Sequence, residues 1–401
     1  MRKRVAAVIH RWGPDVVGGE TLAREVLTRL SESLDITVLT SCARDYVSWS
    51  NYYPPGETTE DGIRLVRFPV KMQRPVRAFN LLSRLVLQRR LAFVRPPLWL
   101  ERLWLRWQGP YCPDLIAYLK RHRDDFEAFL FYTYLYYPAA RGLREVAGKS
   151  ILIPTAHDER PIYLQSFRRL FRLSRALIYL TPEEQSFANQ LFGTREKPQR
   201  VASMRIRTMD DRDEAIPAPS DVREFLEGHR ISQPYLLYLG RIDPAKGVDT
   251  MFRFFLRYVR EGKRGELLVL AGDKQAEIPE SASVRYLGFL SEQEKRTAIL
   301  GSRALVLLSP YESFSISVLE VLGLGRPVIV TSESAVLKGH VERSRAGFAV
   351  SSYDEFRVAA DYVLAAQDDD LGRLGIRYVK ENFSWEKVEK AYLELIDGIS
   401  S

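Results

Sequence analysis

The sequence has few cysteines and no long apolar run. Its two cysteines, Cys42 and Cys112, lie far apart in a chain of 401 residues, which predicts neither a disulfide framework nor a cysteine metal site. The apolar run after the basic start MRKR is shorter than the roughly 7–15 residues of a signal peptide and the about 20 of a spanning helix. No zinc-binding or Ser-His-Asp pattern is present. These absences predict a protein of the reducing cytoplasm without a metal site.

Acidic residues are nearly absent from one segment. Residues 74–108 contain eight arginines and one acid, Glu101, together with Trp99, Trp104, Trp107 and many leucines. Basic charge mixed with aromatic side chains suits an anionic membrane surface or a nucleic acid. The alternative is a helical hairpin whose leucines face the core while its arginines are solvated. No nucleic-acid reader motif accompanies the segment, so we expect no nucleic-acid partner, and the composition leaves membrane and hairpin open.

The length favours two domains, and the apolar runs divide the chain accordingly. Residues 1–204 alternate buried strands, such as RVAAVIH and DITVLT, with loops and amphipathic helices, and a basic and aromatic helical insertion occupies about 71–125. Residues 205–233 gain proline and acid, which predicts a linker with room for a short helix. A second series of strands and helices occupies 234–384. The final helix, 385–401, is expected to pack back toward the first domain.

This order predicts an α/β fold of two facing, doubly wound Rossmann-like domains with a cleft between them. Ligands of such sheets collect beyond the carboxyl ends of the strands. In the first domain, Gly18 and Gly19 of VVGGE precede a helix, where their N–H groups can approach an anion, and His157 of PTAHDERP follows a strand. A glycine pair is also typical of a tight turn, and a strand-end histidine of a structural residue.

In the second domain, LGRIDPAKG places Arg241 and Lys246 around a turn at a strand end. Two cations held in a loop that cannot extend freely suit a diphosphate. The alternative is that both are solvated loop charges.

The stretch YESFSISVLE follows a predicted strand and enters a helix near Ser315. The free N–H groups and the dipole of that helix attract phosphate. Glu312 lies before the helix and Glu320 within its first turns. Ser317 and Glu320 have capping-box spacing, so Glu320 can instead tie down the helix start, but a capping box does not explain Glu312.

Together, the Glu-x7-Glu stretch ESFSISVLE, the loops GRIDPAKG and VVGGE, and GLGRPVIVT resemble the family-4 retaining nucleotide-sugar glycosyltransferases of the GT-B fold. The resemblance covers the C-terminal half, the first forty residues and residues 150–190, and it does not reach residues 70–130. It implies that Glu312 contacts hydroxyls of the donor sugar and that Glu320 holds the nucleotide ribose. It also implies that Arg241 and Lys246 bind the diphosphate.

The resemblance assigns further residues to the donor. These are Gly18, Gly19 and His157 in the first domain, and Leu290, Phe314, Ser315 and Ile316 in the second. The backbone N–H groups of Ser315 and Ile316 would complete the phosphate site, Leu290 would line the base pocket, and His157 would act with Glu312 near the reacting centre. The family more often has glycine at the positions of Ser313 and Ser315, which leaves the identity of the donor sugar open.

The function implied is a retaining, metal-independent transfer from a nucleoside-diphosphate sugar, with a UDP-sugar favoured over a GDP-sugar. The acceptor would be a saccharide or a lipid-linked saccharide of envelope or exopolysaccharide biosynthesis. The nucleotide sugar is a co-substrate, and no cofactor is expected. The arginine-rich segment would then dock a cytoplasmic protein on the inner face of the membrane. The alternative is a catalytically inactive sugar-nucleotide-binding protein on the same fold.

Overall fold

The computed structural model describes residues 2–14, 18–87, 96–211, 216–262, 265–365 and 369–400. Contacts divide the chain into a first unit, Met1–Met204 with Trp385–Ser401, and a second unit, Arg205–Ser384. The same residues, 204 and 385, bound the predicted first domain and the predicted final helix. None of the helices in the described ranges combines the length and the hydropathy that a membrane crossing requires.

The first unit is built on one sheet. Its strands are β1 (Arg4–Val8), β2 (Asp35–Ser41), β3 (Gly56–Glu60), β4 (Ile63–Phe68), β5 (Ala128–Tyr132), β6 (Ser150–Ile153), β7 (Ala176–Tyr179) and β8 (Gln199–Val201). They lie in the order β3-β4-β2-β1-β5-β6-β7-β8, with β3 antiparallel to β4 and the other neighbours parallel. The predicted apolar strands are confirmed because a parallel strand covered on both faces is apolar throughout, as the wholly buried β5 is.

The helices of the first unit cover this sheet. They are α1 (Gly19–Leu30), α2 (Val76–Val86), α3 (Leu98–Gln108), α4 (Pro113–Arg121), α5 (Tyr137–Gly142), α6 (Gln165–Leu173) and α7 (Pro182–Phe192), with 3-10 turns at Leu143–Lys149 and Arg160–Tyr163. The polar hairpin of β3 and β4 is absent from the predicted strands.

The arginine-rich segment forms α2 and α3, whose inner faces join the core of the first unit. Leu82, Val86 and Trp104 are buried, and the Trp104 indole N–H donates to the Ser83 hydroxyl at 2.9 Å. Glu101 is also buried, and its carboxylate accepts from the backbone N–H groups that begin α6, at Gln165 (3.1 Å) and Ser166 (2.9 Å). The hairpin interpretation therefore holds for the inner faces. Residues 88–95, which include three of the arginines, lie outside the described residues.

The second unit also has one sheet. Its strands are β9 (Tyr235–Leu239), β10 (Leu267–Ala271), β11 (Val284–Tyr286), β12 (Ala304–Leu307), β13 (Val328–Thr331) and β14 (Gly347–Val350). All neighbours are parallel in the order β11-β10-β9-β12-β13-β14. Counted from the first strand, this is the 3-2-1-4-5-6 order of a Rossmann sheet, in which the order of the parallel strands reverses between β9 and β12. That reversal marks where a ligand is expected.

The helices of the second unit alternate with these strands and follow the last of them. They are α8 (Pro219–Gly228), α9 (Val248–Gly262), α10 (Glu292–Gly301), α11 (Ile316–Gly323), α12 (Ala335–Ser344), α13 (Tyr353–Ala365) and α14 (Asp369–Asn382). The predicted linker 205–233 requires correction, because it is part of this unit. The N–H of Met209 donates to the carbonyl of Gly323 at 3.0 Å, and α8 packs on α10. The proline and acidic residues of this segment therefore belong to a stretch that packs on the second unit, and not to a flexible linker.

The last helix, α15 (Trp385–Ser400), belongs to the first unit. Its Tyr392 is buried with its hydroxyl 3.4 Å from that of Tyr132 at the end of β5. Lys3 and Asp397 are paired at 2.7 Å on the surface. The apolar stripe of α15 therefore completes the core of the first unit.

Candidate functional site

The loop after β9 comes very close to the end of β12. Gly247 has φ +70°, and a Cβ on it would lie 2.0 Å from the carbonyl oxygen of Leu308. Only glycine allows both this conformation and this approach. The loop itself is shaped by Asp243, whose carboxylate accepts from the N–H of Ala245 at 2.9 Å. The sequence motif GRIDPAKG thus places its cations at the point where the strand order reverses.

At that point, two of the predicted site residues, one cationic and one acidic, are in contact. The Lys246 ammonium lies 2.8 Å from a carboxylate oxygen of Glu312, which follows β12. The side chain of Glu312 is 12% exposed and that of Lys246 is 28% exposed. Arg241 lies in the same loop, with its Nε 3.6 Å from the carboxylate of Asp243. The two cations are therefore held by carboxylates rather than solvated freely.

Helix α11 begins without a side-chain cap. Its N-cap, Ser315, has a left-handed backbone (φ +66°, ψ +75°) and makes no side-chain capping bond. The Ser315 hydroxyl is buried with no hydrogen-bond partner in the described part of the chain. The capping-box alternative is wrong, because Ser317 lies inside the helix and Glu320 is bonded elsewhere. The uncapped N–H groups at this end are suited to bind an anion.

Glu320 is held by a lysine that the sequence did not single out. The Lys295 ammonium of α10 lies 2.8 Å from the Glu320 carboxylate and 2.9 Å from Glu292. Burial acts to lower the pKa of Lys295, but the negative charges of Glu320 and Glu292 outweigh it, and the pKa is raised. No motif marks Lys295. The capping box of Ser291 and Glu294 marks only the start of its helix.

Phe314 is a core residue, which corrects its predicted role as a substrate contact. Its ring is buried against the rings of His340 and Phe383, at centroid distances of 6.4 and 5.7 Å. Its carbonyl accepts from His340 Nε2 at 2.8 Å, and His340 Nδ1 accepts from the Tyr378 hydroxyl at 2.9 Å. Burial lowers the pKa of His340 to about 4, so the ring is neutral near pH 7. This network, absent from the sequence predictions, anchors the loop before α11.

Leu290 lies at the same edge of the second sheet. It follows β11, is half-buried, and comes directly after the exposed Phe289. The loop is fixed by Gly272, whose N–H donates to the carbonyl of Gly288 at 2.8 Å. The predicted residues of the second unit thus follow β9, β11 and β12, all at the carboxyl ends of the strands.

In the first unit, the predicted residues follow β1 and β6. Gly18 has φ +81° at the start of α1, while residues 15–17 of the same loop lie outside the described residues. A Cβ on Gly19 would lie 3.9 Å from the Thr133 hydroxyl, which accepts from Thr155 at 3.4 Å. Thr155 leads into His157. The loops after β1, β5 and β6 therefore meet at one edge of the first sheet.

His157 is part of a partly buried acid network, in which His157 and Glu159 are about a quarter exposed. Its Nε2 lies 3.6 Å from the carboxylate of Glu159, which also accepts from the Tyr134 hydroxyl at 2.6 Å. Burial acts to raise the pKa of Glu159, but the bonds from His157 and Tyr134 outweigh it and the pKa is lowered. Glu184 accepts from the N–H of Ala156 at 2.5 Å and so braces the same loop. Neither Glu159 nor Glu184 was predicted as a site residue.

A second cluster of the first unit was also missed. Glu20, in the first turn of α1, accepts from His10 at 2.8 Å and from Arg11 at 2.5 Å, and all three side chains are almost fully buried. Burial acts to raise the pKa of Glu20, but the contacts with His10 and Arg11 outweigh it and lower the pKa to about 2. We attribute this mainly to Arg11, because burial also lowers the pKa of His10 and favours the neutral ring. The cluster fixes the helix start beside Gly19.

Comparison with known proteins places the match on the second unit. Residues 233–368 match the family model described as "Glycosyl transferases group 1". A probable sucrose-phosphate synthase of Thermosipho melanesiensis is 25% identical over 195 residues, which are 45% of this chain and 44% of that protein. An O-antigen chain mannosyltransferase B of Escherichia coli is 25% identical over 187 residues, 42% of this chain and 47% of that protein. The chain spans less than half the length of these relatives.

Solved structures are similar over the whole chain. A sucrose-phosphate synthase from Thermosynechococcus elongatus superposes with a TM-score of 0.70 at 14% identity, covering 99% of both chains. Anabaena HepE in complex with UDP-glucose superposes with a TM-score of 0.67 at 12% identity, covering 99% of this chain and 100% of that one. At such identities the likeness shows the fold alone.

The prediction of an α/β fold of the GT-B type, with two Rossmann-like units, is confirmed by these structures. The predicted class of enzyme, a glycosyltransferase, is supported by the family match and by the names of the relatives. The matched residues 233–368 include every candidate residue of the second unit, from Arg241 to Glu320.

Proposed function

We propose that the protein is a retaining, metal-independent glycosyltransferase of family 4. It would move a sugar from a nucleoside-diphosphate donor, a UDP-sugar, to a saccharide or lipid-linked saccharide in envelope or exopolysaccharide biosynthesis. The observation that carries the proposal is the contact of Lys246 with Glu312 at the reversal point of the second sheet, beside the uncapped start of α11. The UDP-glucose bound to HepE and the O-antigen chain mannosyltransferase among the relatives support the donor and the pathway.

The roles follow from the charges of the site. Negative charge builds on the diphosphate as the bond between the sugar and the phosphate breaks, and Lys246, Arg241 and the start of α11 stabilise it. A lysine ammonium has three N–H groups, so Lys246 can keep its bond to Glu312 while it binds a phosphate oxygen. The second carboxylate oxygen of Glu312 can then accept from a hydroxyl of the donor sugar, and Glu320 from the ribose.

Retention follows from a front-face course. The acceptor hydroxyl attacks the anomeric carbon from the side that the diphosphate leaves, and its proton passes to the departing phosphate oxygen. The new glycosidic bond therefore forms on the same face as the broken one, and no protein nucleophile is needed. His157, at the end of β6, would contact the donor sugar near the reacting carbon.

The test combines donor binding and transfer. UDP and a panel of UDP- and GDP-sugars are screened by thermal unfolding of the full chain, because a donor that binds the folded state raises the melting temperature. Transfer is then measured with saccharide and lipid-linked acceptors for the wild type, Glu312→Ala and the exposed control Glu224→Ala. We expect Glu312→Ala to lose about 10²-fold or more in transfer through misplacement of the sugar, with unchanged folding.

Each outcome has a distinct meaning. Full transfer by a folded Glu312→Ala variant would show that the site is wrongly assigned. A wild-type chain that binds a donor and transfers to no acceptor would favour the alternative, a catalytically inactive sugar-nucleotide-binding protein.

A further inference from the structure

The outer faces of α2 and α3 are unusually apolar. Leu81 and Leu85 of α2 are 60% and 52% exposed, and Leu98 and Trp99 of α3 are 50% and 66% exposed. The inner faces of the same helices are already buried in the core of the first unit. The four outer side chains are therefore not needed to hold the helices in place. Grouped exposed apolar side chains of this kind mark an interaction surface.

The exposed charged side chains of α2 and α3 are all positive. Arg77 and Arg84 on α2, and Arg102 and Arg106 on α3, are exposed. The acid of these two helices, Glu101, is buried and bonded to the start of α6. It therefore offers no negative charge to the surface.

The positive charge continues beside α3. The pKa of Arg141 is lowered by its burial and by the positive charges of Arg144 and Arg102 nearby. Arg168 and Arg169 on α6, which packs against α3, are also exposed. The outer side of this helical layer thus has both exposed arginines and exposed apolar side chains.

We propose that this surface, which we name the α2–α3 face and define by Leu81, Arg84, Leu85, Leu98, Trp99 and Arg102, docks on an anionic lipid membrane. Leucine and tryptophan side chains enter the boundary between head groups and acyl chains, and tryptophan favours that depth. Arginines at the same level are attracted by anionic head groups. The face has both kinds of side chain, interleaved on two neighbouring helices.

A nucleic acid fits the same charges less well. Its phosphates would bind the arginines, but a duplex gives no apolar medium to Leu81, Leu85 and Leu98. The two helices are also formed before docking, because Trp104 bonds to Ser83 and Glu101 holds the start of α6. Docking therefore needs no folding step, whose entropic cost would weaken binding.

Membrane docking is independent of the proposed transfer activity, since a catalytically inactive chain with this face would bind equally well. The experiment uses flotation of the full chain with vesicles of equimolar phosphatidylcholine and phosphatidylglycerol, and with vesicles of phosphatidylcholine alone. We expect binding to the anionic vesicles, weaker binding to the neutral ones, and a decrease with added salt. Equal binding to the two compositions, or no binding to either, would overturn the proposal.

Two sets of variants separate charge from apolar contact. Arg84→Gln with Arg102→Gln should weaken binding to anionic vesicles about 25-fold, at about fivefold for each arginine. The matched control, Arg223→Gln with Arg260→Gln, removes two exposed arginines of the second unit and should bind as the wild type does.

The apolar triple variant Leu81→Ser, Leu85→Ser and Trp99→Ser should lose most of its vesicle binding. Its control is Val201→Ser with Val358→Ser, two exposed valines elsewhere. The changed side chains are exposed, so the thermal unfolding of every variant should match that of the wild type. If only the arginine variants lose binding, and duplex DNA displaces the protein from vesicles, the surface binds polyanions and not membranes.

Trp99 also provides a direct readout. Vesicles with brominated acyl chains should quench more of the tryptophan fluorescence of the wild type than of Trp99→Phe, because Trp12, Trp49 and Trp104 are buried and Trp107 and Trp385 are half-buried. Equal quenching of the two proteins would place the membrane contact elsewhere and overturn the assignment of this face.

Discussion

Both units are built on a largely parallel sheet, and they place charge differently at its carboxyl edge. In the second unit, the pairs Lys246–Glu312 and Lys295–Glu320 are partly exposed, with side-chain exposures between 12 and 28%. In the first unit, Glu20 lies with His10 and Arg11 in a cluster that is at most 11% exposed. The second unit thus has two open cation–carboxylate pairs at this edge, whereas the first unit has this sealed cluster beside the partly exposed pair of His157 and Glu159, at 27% and 25%.

This difference separates charges that can bind a ligand from charges that build the fold. A partly exposed ammonium can share its protons between a carboxylate and an incoming phosphate at little cost. A sealed pair cannot, because separating it leaves a buried charge without its partner. We infer that the first unit offers hydroxyls and backbone at its edge, through Thr133, Thr155 and the glycine loop, while the cations that act on the donor belong to the second unit.

The largest expected effect comes from removing a cation of the second unit. Lys246→Met should lower kcat about 10²–10³-fold, since the charge of the leaving diphosphate loses a fixed donor. The control, Lys338→Met, removes a half-exposed lysine of the same unit and should leave transfer unchanged. Steady-state kinetics with a UDP-sugar measure both. A Lys246→Met enzyme with normal kcat would mean that the open ion pair is only structural.

The next largest effect is expected from a comparison of two glycines that have the same backbone conformation. Gly247 in the second unit and Gly193 in the first have φ +70° and +68°, but only Gly247 has a main-chain atom in the place of a Cβ. Gly193→Ala should cost about 1–2 kcal/mol for the left-handed conformation. Gly247→Ala should cost about 1–3 kcal/mol more for the forced shift at Leu308.

Chemical denaturation of the two alanine variants measures this difference. Gly247→Ala should also lower transfer, because the shift moves Lys246 away from Glu312. Equal losses of stability in the two variants would mean that the loop after β9 moves freely and does not fix the cation.

Much of the fold was readable from the sequence because parallel strands are continuously apolar. The runs of β1, β5, β9 and β12 mark both sheets, and the loops that follow them contain most of the candidate residues. The hairpin of β3 and β4 was missed because β3, Gly56–Glu60, is polar and lies at the edge of its sheet. The dipeptide Asp61–Gly62, with φ of +49° and +76°, was the available signal, since such pairs form hairpin turns.

The residues that hold the site residues in place were harder to predict from the sequence, because they come from distant elements. Lys295 reaches Glu320 from another helix, and His340 fixes the carbonyl of Phe314 across 26 positions. No spacing rule connects such residues. The capping-box spacing even favoured the wrong partner for Glu320, namely Ser317. A sequence pattern does not show that the Lys295 ammonium lies next to the Glu320 carboxylate.

The pH dependence of stability should show an effect of intermediate size, and it distinguishes the second unit from the first. The folded pKa of His340 is about 4, below its ordinary value of 6.5. The unfolded chain therefore binds the proton first, so this stability is complete above about pH 6.5 and is lost as the pH falls toward 4, about 3 kcal/mol in all. His340→Gln should lose stability at pH 7 and show a flatter decline.

Thermal unfolding of the wild type and His340→Gln between pH 7 and pH 4 measures the share of the second unit. The pKa of His10 is lowered as well, so the first unit contributes a decline in the same direction that remains in this variant. Parallel pH curves for the two proteins would contradict a neutral, buried His340.

The smallest expected effect lies at the start of α11. Ser315 has a left-handed backbone at φ +66°, which costs a non-glycine residue about 1–2 kcal/mol, and the unfolded chain of a glycine variant regains about 0.5–1 kcal/mol of entropy. Ser315→Gly should therefore raise the free energy of unfolding by no more than about 1.5 kcal/mol. Arg345→Gly, at φ +55° on the exposed end of α12, gives the same relief far from the candidate residues. If Ser315→Gly keeps donor binding as Arg345→Gly does, the backbone N–H groups suffice for the phosphate. If it alone weakens binding, the buried hydroxyl of Ser315 is itself a ligand of the donor.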